Sequence, residues 1–99
     1  MVRHVILWQL KDELSAEEKL AVKKEIKVGL ENLQGKIPGL LKISVHITGL
    51  ASSNADLMLD SAFEDEAALK GYAVHPLHQE AKTHFFHLLD SRVAADYEV

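Results

Sequence analysis

Ninety-nine residues carry 11 Lys and Arg against 15 Asp and Glu, a formal net charge of −4, and no cysteine. A single domain of that length buries only about 60 to 65% of the surface its unfolded chain exposes, so its core is thin and a partner chain would help complete it. The acidic balance offers no basic stripe for a phosphate backbone, and the missing cysteines exclude disulfides, thiolate nucleophiles and cysteine-based metal sites.

The chain opens on an alternating run, Val2 to Leu10, with His4, Ile6, Trp8 and Leu10 on one set and Val5 and Leu7 on the other. A strand with one solvated face would show polar residues on one set, so this one is expected to be covered on both. No basic n-region, long apolar stretch or cleavage site precedes it, and no apolar run approaches the ~20 residues of a membrane span. A soluble, cytoplasmic protein is the expectation. Ser15 with Glu18 three residues on is a capping box, opening a helix with Val22, Ile26, Leu30 and Leu33 as its apolar stripe and running to about Gly35. After the breaker Ile37-Pro38-Gly39, Ile43, Val45 and Ile47 alternate with Lys42, Ser44, His46 and Thr48 as a second strand, which puts His46 on the face away from the helices.

Gly49 to Ala55 is a polar loop, and Leu57, Leu59 and Phe63 alternating with Met58, Asp60 and Ala62 make a third strand. Glu64 to Lys70 reads as a short helix closed by Gly71, Pro76 opens another that runs to about Asp90, and Arg92 to Tyr97 is a last strand with Val93, Ala95 and Tyr97 on one side. No linker divides the chain, so residues 1–99 form one domain. The order βαββααβ predicts an α+β, ferredoxin-like, four-stranded antiparallel sheet with helices on one face only. Val5, Leu7, Met58, Ala62 and Ala94 are expected on the bare face, where two sheets pairing face to face would bury them in a two-fold homodimer, a dimeric α+β barrel.

The run Tyr72-Ala73-Val74-His75-Pro76-Leu77-His78 sets a phenol and two imidazoles around one helix start. Pro76 fits the first helical position, His75 the cap before it, and His78 shares a stripe with Ala81, Phe85, Leu88 and Leu89 that points inward. Histidine titrates near pH 6.5, lower when desolvated, which suits a base that removes a proton beside a carbonyl; a tyrosine hydroxyl suits the donor that meets the developing oxyanion. His78 is therefore the candidate base and Tyr72 its partner. The expected pocket lies between sheet and helices, lined by His4, Ile6, Trp8, Leu57, Leu59, Tyr72, His75 and His78. His84 and His87, one helical turn apart, have ligand spacing but no inward carboxylate, so no metal site is assigned; no nucleotide loop, flavin fingerprint or nucleophile elbow occurs, and no cofactor is expected.

The opening Met1-Val2-Arg3-His4-Val5-Ile6-Leu7-Trp8, the Lys11-Asp12-Glu13 run, Ile37-Pro38-Gly39, the Tyr-x-x-His-Pro-x-His run and the terminal Asp96-Tyr97 together resemble the stress-responsive A/B barrel domain family, over nearly the whole chain. The resemblance implies a dimer whose sheets close an eight-stranded barrel. A plant polyketide cyclase of that family closes its product by a cofactor-free aldol reaction, and its catalytic pair is similar to Tyr72 and His78, with a pocket residue matching His4. This sequence departs where the cyclase has a further pocket histidine, here Leu57, and where it has aromatic residues, here Val22 and Ile26. The cyclase's substrate therefore does not carry over. Two readings follow: a cofactor-free cyclase or lyase for a carbonyl compound, and a non-catalytic or stress-associated protein that binds a small ligand. A heme-free monooxygenase stands third.

Overall fold

The computed structural model describes residues 1–99. Strand β1 (Val2–Leu10) leads to helix α1 (Ala16–Glu31), then β2 (Leu40–His46), β3 (Leu57–Phe63), α2 (Glu66–Val74), α3 (Pro76–Thr83), a single 3₁₀ turn (Phe86–Leu88) and β4 (Leu89–Glu98). The sheet order is β2-β3-β1-β4 and every neighbouring pair is antiparallel, which is the ferredoxin-like arrangement expected from the alternation of elements.

The helices cover one face. Val2, His4, Ile6, Trp8 and Leu10 are buried beneath them, with Ile43, Val45, Leu57, Leu59 and Phe63 from the neighbouring strands and Ile26, Leu30 and Leu33 from α1. The capping box forms as spelled: the Glu18 N–H donates to Ser15 Oγ at 3.1 Å and the Ser15 N–H to Glu18 Oε1 at 2.9 Å.

Register settles the other face. Val5 pairs with Asp60 and Ala95, and Leu7 with Met58 and Val93, so these side chains share the uncovered side. Leu7, Val93 and Tyr97 remain exposed there, while Arg3 and Asp60 form a cross-strand ion pair in the same surface. Ala94 does not belong to it. It pairs with Ile6 and faces the helices, because a residue opposite an inward position in an antiparallel pair also points inward.

Three boundaries differ from the sequence reading. Helix α2 runs through Gly71 to Val74; its start is set by Asp65, whose Oδ1 accepts the Ala68 N–H at 2.8 Å, and its stop by Pro76, which holds His75 extended at φ −65°, ψ 134°. Tyr72 thus lies inside a helix. Helix α3 ends at Thr83, where the Thr83 hydroxyl donates to the Glu80 carbonyl at 2.6 Å and the His84 N–H reaches back three residues to Ala81. Leu88 then falls in the 3₁₀ turn and Leu89 in β4, so neither extends the His78 stripe; His84 and His87 also fall on different elements. Helix α1 closes at Glu31, and a series of turns carries the chain past Gly35.

Gly39 seats α2 against the start of β2. Its φ is +80°, and a Cβ there would come within 2.4 Å of the Ala68 Cβ. Both the left-handed backbone and the approach demand glycine. Gly39→Ala is expected to cost on the order of 1 to 3 kcal/mol, measured by denaturant unfolding, because α2 has to lift from the sheet.

Candidate functional site

Tyr72 and His78 come from two helices joined by one residue. His75 caps both: its N–H donates to the Tyr72 carbonyl at 3.1 Å, ending α2, and its ring Nδ1 accepts the Leu77 N–H at 3.1 Å, opening α3. That double task turns the His75 ring outward, to a shallow groove beside Pro38, Gly39 and Gly71, and away from the expected pocket. The junction lays the Tyr72 and His78 rings together, centroids 4.1 Å apart and planes tilted by 37°.

These rings open on a cavity of about 160 Å³ between the sheet and the helices. His4, Ile6, Trp8, Leu59, Tyr72 and His78 line it, six of the eight residues proposed from sequence. Leu57 does not; it pairs with Trp8 at one end of the sheet and is packed into the core. Phe85 and Phe86, Leu30, Leu69, Ala73, Leu89, Lys82 and Arg92 complete the wall. Phe85 stands edge-on to Trp8 with centroids 5.8 Å apart. One of these additions had a signal in the sequence: Lys82 follows His78 by one helical turn. Arg92 takes its inward position from the register that sets it opposite Trp8.

Tyr72 is 2% exposed, and its hydroxyl has no hydrogen-bond partner in the protein. Burial pushes the phenol's pKa well above its ordinary value, against the pull of the Arg92 charge, so the group stays an O–H donor at any physiological pH. His78 is half-buried. Its Nδ1 lies 3.3 Å from the Ala73 carbonyl; a carbonyl oxygen only accepts, so the proton is on Nδ1 and the Nε2 lone pair is free. At the back of the cavity, His4 bonds through Nδ1 to the Asp96 carboxylate, which fixes its proton in the same way, and its ring stands edge-on to Tyr72 at 6.3 Å.

Desolvation lowers the His78 pKa below 6.5, reinforced by the charges of Lys82, His4 and Arg92 and opposed by the Ala73 carbonyl. A depressed value means that the unfolded chain takes up the proton first as pH falls. Stability contributed by neutral His78 is therefore whole above pH 6.5 and is lost as pH falls from there through the folded-state value. An NMR titration of the His78 ring is expected to give a midpoint below 6.5, and thermal unfolding of a His78→Gln variant is expected to lose less stability than wild type between pH 6.5 and 5.

The model of the stress-responsive A/B barrel domain matches residues 2–99, the whole of the sheet and its one-sided helices. The chain belongs to that family. Among solved structures of this A/B barrel fold, a dimeric protein with a ferredoxin-like fold from Bacteroides fragilis is 34% identical with a TM-score of 0.92, covering 99% of this chain and 95% of its own. An Arabidopsis thaliana protein is 27% identical at a TM-score of 0.79, covering 100% and 95% of the two chains. The hydroxynitrile lyase of Passiflora edulis shares the fold at 19% identity and a TM-score of 0.77, covering 99% and 92%. No curated protein matches the sequence. No helix of this A/B barrel protein is long and apolar enough to cross a membrane.

Proposed function

We propose that this protein is a cytoplasmic homodimer in which each protomer holds a cofactor-free acid–base pocket for a small carbonyl compound, with His78 as base and Tyr72 as oxyanion donor. One observation carries the reading: a buried hydroxyl without a protein partner and an imidazole with a free Nε2 face the same cavity from rings 4.1 Å apart. A fold gains nothing by burying an unpaired donor, which costs about 1 to 3 kcal/mol, whereas a substrate carbonyl would supply the missing acceptor.

In the proposed step, Nε2 of His78 takes a proton from the carbon beside the carbonyl. The C–H electron pair moves into the new carbon–carbon double bond, and the carbonyl electrons move to oxygen, where the Tyr72 O–H stabilises the charge. The enolate carbon then bonds to a second carbonyl carbon to close a ring, that carbonyl's π electrons move to its oxygen, and the resulting alkoxide takes the proton from His78; the same steps in reverse cleave the bond. His4, held by Asp96, and the apolar walls from Ile6, Trp8 and Leu59 orient the substrate. A hydroxynitrile lyase from Passiflora edulis has the same fold, so the scaffold serves lyase activity in another protein. The homodimer is supported by the dimeric relative from Bacteroides fragilis and by the apolar sheet face that the protomer leaves uncovered.

A second reading, binding without turnover, is favoured by the lack of a hydrogen bond between Tyr72 and His78 themselves. The two are separated by wash-out of α-deuterium from a panel of β-keto thioesters and aromatic ketones. Catalysis predicts exchange that requires both side chains; saturable binding with no exchange across the panel would give the pocket to ligand storage instead.

A further inference from the structure

The cavity wall carries two cations and no anion, in a protein whose net charge is −4. Neither Lys82 nor Arg92 forms an ion pair; the four in the chain join Arg3 with Asp60, His4 with Asp96, Lys27 with Glu31, and Lys70 with Glu66. Lys82 rests 5.4 Å over the Phe86 ring, and Arg92 lies where the cavity meets an outer groove that also holds Glu66, Asp96 and Glu98. Asp96 is engaged by the His4 ring, and none of the three carboxylates comes within ion-pair distance of the guanidinium. Both cations come from elements flanking the reactive pair: Lys82 one turn beyond His78 on α3, Arg92 on the inward face of β4 opposite Trp8.

We infer that the substrate is a carbonyl compound bearing a carboxylate, its anionic end held between Arg92 and Lys82 and its carbonyl at Tyr72 and His78. The inference deepens the proposed function and rests on it for the carbonyl end alone. Three features support it. A planar guanidinium matches a carboxylate in a two-point hydrogen bond, and an ammonium adds a point charge beside it. The Tyr72 hydroxyl, buried and unpartnered, marks the other end of the same ligand. The volume, about 160 Å³, is close to the roughly 150 Å³ that accommodates a benzene-sized molecule, which suits a short branched or single-ring oxo acid. The same cations also act on the reaction, since a positive charge near the enolate lowers the cost of forming it.

The probe is 4-methyl-2-oxopentanoate, compared with its methyl ester and followed through the fluorescence of Trp8, the single tryptophan of the chain and part of the cavity wall. The acid is expected to bind at least about tenfold more tightly than the ester, the advantage one charge-assisted hydrogen bond provides. Arg92→Gln and Lys82→Gln should each remove about fivefold or more of the acid's affinity and leave the ester's unchanged, while Arg92→Lys keeps part of the preference. Equal affinity of acid and ester for the wild type overturns the inference. So does an Arg92→Gln variant that keeps the acid-to-ester ratio, including one that does so while altering the oligomeric state, which would give Arg92 to an interface. Deuterium wash-out at C3 of the same probe keeps the two readings apart. Arg92-dependent binding without exchange sustains the anion site and removes the acid–base role; exchange of acid and ester with equal rate and affinity sustains the acid–base role and removes the anion site.

Discussion

His78→Asn is expected to lower the rate of α-proton exchange by about 10²- to 10⁴-fold, the usual contribution of a positioned base, while the protein stays folded and keeps its ligand affinity. Asparagine is the informative replacement because its amide N–H can still donate to the Ala73 carbonyl that His78 Nδ1 now meets at 3.3 Å, so only the basic nitrogen is lost. Tyr72→Phe completes the test with the opposite signs on two axes. Removing the hydroxyl breaks no hydrogen bond within the protein, so unfolding should shift by less than about 1 kcal/mol or in the stabilising direction, whereas exchange should fall by about 10²- to 10³-fold through loss of the oxyanion donor. A purely structural pair gives the reverse pattern, with clear destabilisation of His78→Asn and no exchange in the wild type to lose.

Leu7→Lys is expected to convert a dimer into monomers. Leu7 sits at the middle of the uncovered sheet face, between Met58 and Val93, and is 39% exposed in the protomer, so lysine there costs the isolated chain little. Against a second sheet the ammonium would be buried without a partner. A penalty of about 4 kcal/mol, modest for such a charge, weakens association roughly a thousandfold. Light scattering at micromolar concentration should report a dimer for the wild type and a monomer for the variant, and the wild-type melting temperature should rise with concentration while the variant's stays flat. A monomeric wild type would assign the apolar face of Val5, Leu7, Val93 and Tyr97 to some other use.

The sheet was legible because its signals are local and periodic: alternation in β1, β2 and β3 and the Ser15 capping box each name their element within a few residues. Helix ends were less so. Gly71 carries the usual mark of a helix stop, yet the constraint that Pro76 places on His75 decides where α2 ends; Thr83 ends α3 through a side chain turning on its own backbone, which no apolar period records. The outer-face assignment of Ala94 failed for a related reason, since parity along one strand says nothing until the register with its neighbour is known. For the site, Tyr72 and His78 were recoverable from a motif seven residues long. Lys82 and Arg92 were not singled out, because a charged residue in a sequence reads as solvated until the topology brings it against a wall of apolar side chains.

His75 gives the site an unusual independence from its surroundings. One residue fixes the angle between two helices, and with it the placement of the His78 ring relative to Tyr72, using only hydrogen bonds to Tyr72 and Leu77 a few residues away. Much of the wall comes from β1, β3, α1 and β4, distant in the chain, while Leu69, Ala73, Lys82, Phe85 and Phe86 lie closer to the pair. Substitutions on those distant walls that enlarge, shrink or recharge the chamber therefore leave the Tyr72 and His78 rings in place, so a single scaffold can change what its chamber accepts while keeping that pairing.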